Sequence, residues 1–392
     1  MKILAVVQRF YPAIGGAEKV MEQYLDYLST NHEITVYTSD ALDLASFWNK
    51  KNDEIRNKEK NYTIKRFEVS TPNEIDSDMF SFPYSISSLG PFCPKMWNSL
   101  LKLDDNFDLI IASSFPYDHM IPAFLAAKKK NIPIIVIPHI HLEFPYLHFT
   151  SPKLTILKNS NIIVVNTENE KNHLLNYNIH EKNILVNPPG ISITFDESKL
   201  SDMRKKLKID PKSTVILFAG TKSYDKGTIF LVDSLEILWE NNHHIDLILI
   251  GPNSEEFSSH LQKKSETIRQ HVHDLGIVSN DEKLSVFHSC DVFAMPSRSE
   301  SFGLVYLEAW LHKKPVIGCN IKAVANLIDH NKNGLLVKFN DTNELSLTIK
   351  TLLNPVLREK LGLEGYKKLI QNYDVDKLCN DFESICMSTM KN

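Results

Sequence analysis

Short runs of β-branched and other apolar residues recur along the chain, separated by stretches whose apolar positions fall on a helical stripe. Residues 3–7, 34–37, 109–112, 134–137, 162–165 and 184–186 read as strands. Each is almost continuously hydrophobic, the pattern of a parallel sheet covered on both faces. A helix is predicted from about Gly16, with Val20, Tyr24, Leu25 and Leu28 on one face. The pattern pauses over residues 196–211, where Lys and Asp cluster. It resumes with strands at 215–219, 247–250, 292–295, 315–318 and 335–337, and with helices at 301–312 and 343–353. Two runs of strand–helix alternation predict an α/β protein of two doubly wound, Rossmann-like domains, residues 1–195 and 196–373. Ligands of such sheets bind outside the carboxyl ends of the strands, so the two domains are expected to face a cleft.

Composition narrows the function classes. The 392 residues suit two or three domains. With 43% hydrophobic and 23% charged residues the chain is not of a disordered type. A net charge of -4 argues against a general nucleic-acid binder, which needs a strong positive field. Five cysteines (Cys93, Cys290, Cys319, Cys379, Cys386) include no C-x-x-C pair, so neither a zinc site nor a disulfide framework is expected. The first apolar run is ended by Gln8 and Arg9, too soon for a signal peptide, and no run approaches the ~20 residues of a membrane span. A cytoplasmic protein is expected. Residues 50–66 hold seven basic and three acidic side chains, which read either as a solvated loop or as a surface that meets an anionic membrane.

Candidate chemistry gathers at strand ends. Residues 296–309 read PSRSESFGLVYLEA directly after a strand. A helix start near Ser301 or Phe302 leaves the amides of Ser301, Phe302, Gly303 and Leu304 without intrahelical partners, ready to donate to an anion. Glu300 then lies in the loop before the helix and Glu308 about two turns inside it. A carboxylate offers two acceptor oxygens and suits a vicinal diol. Residues 219–227 read AGTKSYDKG at the end of the first strand of the second domain, where a fixed cation such as Lys226 can stabilise negative charge beside it. At the first strand end, residues 8–18 read QRFYPAIGGAE. Gly15 and Gly16 supply a tight turn with exposed amides, and a G-x-G-x-x-G dinucleotide fingerprint is absent. His139 and His141 follow the strand at 134–137. A neutral His139 can hydrogen-bond a ligand, a protonated one can also offset negative charge, and metal ligation would need further ligands.

These segments together resemble the family 4 glycosyltransferases of the GT-B fold, over nearly the whole chain. The resemblance implies that Glu300 accepts hydrogen bonds from donor-sugar hydroxyls and that Glu308 holds the ribose diol of the nucleotide. Asp225, Lys226 and Gly227 match the family's phosphate loop. Its arginine position is Thr221, however, and Lys222 next to it is the candidate substitute. Residues 322–326 (KAVAN) depart from the family's Gly-Gly-x-Pro-Glu, which leaves donor sugar and base open. The segments 166–168, 187–192 and 333–337 look like further landmarks of the family. The helix over residues 374–392 is implied to return to the first domain. The D-x-D triplets at 76–78 and 374–376 belong to the other major glycosyltransferase fold and are given no role. By resemblance the chain is a hexosyltransferase-type enzyme, with retention of configuration and no metal or other cofactor. The resemblance implies a nucleotide-sugar donor and a glycan or lipid-linked acceptor, reached through Gly15, Gly16 and His139; the basic stretch at 50–66 and Lys128, Lys129 and Lys130 suggest a peripheral contact at the inner membrane face. A nucleotide-sugar epimerase of the same architecture and a non-catalytic partner subunit are the alternatives.

Overall fold

The computed structural model describes residues 1–43, 45–47, 59–70, 90–144 and 151–391. The chain forms two compact units, residues 1–189 with 375–392, and residues 190–374. The division precedes the 195/196 boundary expected from the polar run. The Ile191 amide donates to the Tyr373 carbonyl at 3.0 Å, and Ile191 bridges to Asp374, which ties residues 190–195 to the second unit.

The first unit holds one parallel sheet built from β1 (Lys2–Val7), β2 (Glu33–Ser39), β3 (Thr63–Phe67), β4 (Leu109–Ser113), β5 (Ile134–Ile137), β6 (Ile162–Val165) and β7 (Ile184–Val186). Its order is β3-β2-β1-β4-β5-β6-β7. Leu4, Val6, Ile110, Ala112, Ile134 and Val136 join Met96, Leu100 and Ala123 of flanking helices in one buried cluster. The helix Val375–Thr389 packs on the helix Gly16–Leu28, where Phe382 stacks on Tyr24 with centroids 4.1 Å apart. Strand β3 was not expected, because it lies at the sheet edge and carries Lys65 and Arg66 instead of a continuous apolar run. Residues 50–58 of the charged stretch, and Asp76 and Asp78, lie outside the described residues.

The second unit repeats the plan with β8 (Thr214–Ala219), β9 (Ile245–Ile250), β10 (Val272–Asp274), β11 (Val292–Met295), β12 (Val316–Cys319) and β13 (Gly334–Val337), in the order β10-β9-β8-β11-β12-β13. The unexpected strand is again an edge: β10 has three residues, two of them polar. In each sheet the order reverses between two adjacent strands, β1 and β4 or β8 and β11. Such a switch point, at the carboxyl ends of the strands, is the usual ligand position in this architecture. No helix among the described residues is long and apolar enough to cross a membrane.

Candidate functional site

Strands β8 and β11 pair in parallel, with Leu217 opposite Phe293. That register brings the loop after β8 (residues 220–227) beside the loop after β11 (residues 296–303). The contact is tight. A Cβ built on Gly227 would lie 2.1 Å from the Pro296 carbonyl oxygen, and Gly227 has φ +77, a conformation glycine adopts without strain. Across this seam the Lys226 ammonium donates to Glu300 at 2.7 Å. The Glu300 side chain is 10% exposed and that of Lys226 31%.

The helix after β11 begins at Leu304 and ends at Leu311, not at the expected 301 and 312. Gly303 is its N-cap with φ +99, and a Cβ there would strike the Tyr306 ring at 2.6 Å. Ser301 and Phe302 therefore belong to the approaching loop; the Tyr306 amide already donates to the Gly303 carbonyl at 3.1 Å, so the helix start offers a ligand the amides of Gly303, Leu304 and Val305. Glu308 lies one turn inside the helix. Its Oε1 accepts from Lys283, on the helix Asn280–Ser289, at 2.5 Å. Its Oε2 is buried and has no partner. An unpaired buried carboxylate oxygen costs free energy until something donates to it.

Lys222 does not fill the place proposed for it. Its side chain is fully buried in an ion pair with Asp274. Asp274 also accepts from Asn253 at 3.1 Å and from the Gly276 amide at 3.0 Å. Burial alone would raise the Asp274 pKa, but these donors, Lys222 foremost, hold it below the ordinary value. The Lys222 side chain is 0% exposed and that of Asp274 24%, so drawing the ammonium out to a phosphate would uproot a buried lysine from its carboxylate partner, and Lys222 acts as a structural lysine.

In the first unit, Gly15 precedes the helix Gly16–Leu28 in extended conformation. Glu18 reaches back over it: a Cβ on Gly15 would lie 2.0 Å from Glu18 Oε2, while Arg9 NH2 holds Glu18 Oε1 at 2.6 Å. Gly16 is under no such constraint, since nothing lies within 4 Å of a Cβ there. His139 follows β5 with φ +53, a conformation that costs a non-glycine residue about 1–2 kcal/mol. The ring is buried. Nδ1 meets the Asn166 side-chain amide at 3.2 Å, and Nε2 has no partner. Burial, reinforced by the nearby His141, lowers its pKa to about 4. The imidazole is neutral near pH 7, and the protonated, phosphate-balancing form is set aside. Among the described residues no three His, Cys, Asp or Glu side chains converge on a common point.

Two positioning residues went unread in the sequence. Lys283 carried no local signal, since its partner Glu308 lies 25 positions further on. Glu170 had a usable signal, because Thr167 and Glu170 stand at capping-box spacing. Thr167 caps the helix by accepting from the Glu170 amide. The Glu170 carboxylate accepts from the amides of Ile140 at 2.9 Å and Asn166 at 2.8 Å, tying together the segments that carry His139 and its partner. Complete burial raises its pKa to about 7 despite those two donors.

Comparison with known proteins agrees with this plan. The model of "Glycosyltransferase Family 4" matches residues 14–195, and that of "Glycosyl transferases group 1" matches residues 201–368. Among curated relatives, a D-inositol 3-phosphate glycosyltransferase of Pseudarthrobacter chlorophenolicus is 33% identical over 181 residues, 45% of this chain and 43% of that protein. The capsular polysaccharide biosynthesis glycosyltransferase CapM of Staphylococcus aureus is 27% identical over 204 residues, 50% of this chain and 51% of CapM. The chain spans about half the length of the curated relatives it matches. Among solved structures, Anabaena Alr3699/HepE in complex with UDP and glucose superposes with TM-score 0.74 at 19% identity, covering 99% of this chain and all of that one. Sucrose-phosphate synthase from Thermosynechococcus elongatus gives 0.73 at 16% identity, covering 99% of each chain. At those identities the likeness establishes the fold. With both domain models matched in sequence, the chain belongs to the family 4 glycosyltransferases and has their GT-B fold.

Proposed function

We propose that the protein transfers a hexosyl group from a nucleoside-diphosphate donor to a hydroxyl of a glycan or lipid-linked acceptor, with retention of configuration and no resident metal. The observation that carries this reading is the grouping of Lys226, Glu300 and Glu308 on one switch-point edge of the second unit. Glu308 Oε2, buried without a donor, would accept from the ribose diol. The first turn of the helix Leu304–Leu311 and Lys226 would take the diphosphate. Glu300, relieved of Lys226, would accept from a sugar hydroxyl. As the sugar C1–oxygen bond to phosphate breaks, Lys226 and the helix amides would stabilise the charge left on the diphosphate. The acceptor oxygen would bond to C1, and its proton would pass to a phosphate oxygen.

Acceptor recognition is assigned to the first unit, through the loop at Gly15 and Gly16 and the neutral Nε2 of His139. The relatives' names support the activity. Solved complexes of HepE with UDP and with UDP-glucose support a nucleotide-sugar donor. A peripheral contact with the inner membrane face is proposed from the exposed Lys128, Lys129 and Lys130. The test is donor consumption and nucleoside diphosphate release, measured with and without lipid-linked and soluble glycan acceptors. Acceptor-dependent release supports transfer. Turnover of the sugar without acceptor would point to an epimerase, and no turnover to a non-catalytic subunit.

A further inference from the structure

Which ring nitrogen of His139 carries the proton decides whether the ring gives or takes a hydrogen bond. The residue is 7% exposed, and a pKa lowered by burial to about 4 leaves the ring a single proton near pH 7. Nδ1 lies 3.2 Å from Nδ2 of Asn166. A side-chain amide nitrogen only donates, so Nδ1 accepts and the ring proton sits on Nε2. Nε2 is buried and has no partner among the described residues. A buried N–H left open in this way costs free energy until an acceptor atom reaches it.

Both ends of the contact are held in place. His139 follows β5 and Asn166 follows β6, neighbouring parallel strands with Val136 opposite Ile163. One carboxylate spans the two loops. Glu170, 1% exposed, accepts from the Asn166 amide at 2.8 Å and from the amide of Ile140, next to His139, at 2.9 Å. The Glu170 amide in turn donates to the Thr167 hydroxyl at 3.1 Å, which anchors this clamp in the first turn of the helix Glu168–Leu175. Asn166 is itself 4% exposed.

We propose that Asn166 is a positioning residue that fixes His139 as the Nε2–H tautomer, so that the ring donates a hydrogen bond to a substrate oxygen and does not act as a base. This rests on the acceptor reading given above and adds to it the direction of the hydrogen bond. The group that His139 selects is an oxygen with a free lone pair. The one ring lone pair able to take up a proton is that of Nδ1, and Asn166 occupies it. The proton of the acceptor hydroxyl therefore does not go to His139, which leaves a phosphate oxygen as its destination.

Nitrogen–proton correlation spectra of the full chain with isotope-labelled histidine test this at about pH 8.5, above the ordinary histidine range. The signals lost in His139→Gln identify the ring. In wild type, Nε2 is expected at the shift of a protonated nitrogen and Nδ1 at that of an unprotonated one. Asn166→Asp sets a carboxylate, which only accepts, opposite Nδ1 and is expected to exchange the two assignments. The reverse assignment in wild type, or an unchanged one in Asn166→Asp, would overturn the proposal. Should Asn166→Asp fail to fold, the wild-type spectrum still decides. With the tautomer exchanged, a lone pair faces the substrate oxygen in place of a donor. Nucleoside diphosphate release dependent on soluble or lipid-linked glycans should then fall about 10-fold or more, while calorimetric affinity for UDP, GDP, ADP or dTDP stays within about 2-fold of wild type. A retained rate in the exchanged variant, or an equal fall in rate and nucleotide affinity, would overturn the donor role. No acceptor-dependent release from wild type would instead reject the acceptor reading, with the spectrum still deciding the tautomer.

Discussion

Glu308→Gln isolates one atom. The side chain keeps its shape, and the amide oxygen can still accept from Lys283, which now holds Oε1 at 2.5 Å. That arrangement puts an NH2 where the unpartnered Oε2 stood. A donor then faces the ribose hydroxyls in place of a charged acceptor. Losing a hydrogen bond to a charged group costs about 1.5–3 kcal/mol, which is a factor of about 10–100 in affinity. The affinity for nucleoside diphosphate and the KM for the sugar donor should both weaken by that factor. Because the ribose is remote from the bond that breaks, kcat at saturating donor should change by less than about 3-fold. The measurements are calorimetric titration and initial rates over a range of donor concentrations. An unchanged nucleotide affinity with a collapsed kcat would refute the reasoning, since it would place Glu308 at the reacting sugar.

Gly227→Ala should destabilise the protein by about 2–4 kcal/mol, from the positive φ and from the 2.1 Å approach to the Pro296 carbonyl, lowering the melting temperature by roughly 5–15 °C. Gly16→Ala, with nothing near its Cβ, serves as the control and should shift stability by less than about 1 kcal/mol. Equal melting temperatures for the two variants would contradict the packing argument. Glu170 provides a pH test. Its folded pKa, raised to about 7 from an ordinary 4.5, means that the folded state keeps a proton the unfolded state has already released. Its contribution is therefore most favourable below about pH 4.5, falls as pH rises towards about 7, and is level above that. Melting curves of wild type relative to Glu170→Gln should show that fall between about pH 4.5 and 7, and a parallel pair of curves would show that the burial argument fails.

Much of the scaffold was legible because buried parallel strands announce themselves. Runs such as Ile134–Ile137 and Val292–Met295 have no exposed face, so their sequences are apolar without interruption. Edge strands obey a different rule. The residues of β3 and β10 pair on one side only and tolerate Lys65, Arg66, His273 and Asp274, so continuous hydrophobicity could not find them. The Glu300 and Glu308 frame was readable from its position after a strand. The later helix start was not, because Gly303 takes the left-handed region only through its tertiary setting against Tyr306. Side-chain partners were the least legible part. Lys222 and Lys226 look alike in sequence as cations next to a strand end. One is buried against an aspartate from β10, more than fifty positions away, and the other meets Glu300 on the loop after β11. Such long-range pairings depend on strand order, which local pattern does not encode.

The donor site proposed for this protein is the switch-point edge of the second unit. The most direct measurement is a crystal structure of the protein with a non-hydrolysable nucleotide-sugar. It should show the ribose hydroxyls within about 3 Å of Glu308, and the diphosphate on the amides of Gly303, Leu304 and Val305 with Lys226 turned away from Glu300 to meet it. Nucleotide bound elsewhere, with the Lys226–Glu300 and Lys283–Glu308 pairs undisturbed and Glu308 Oε2 still without a donor, would contradict it.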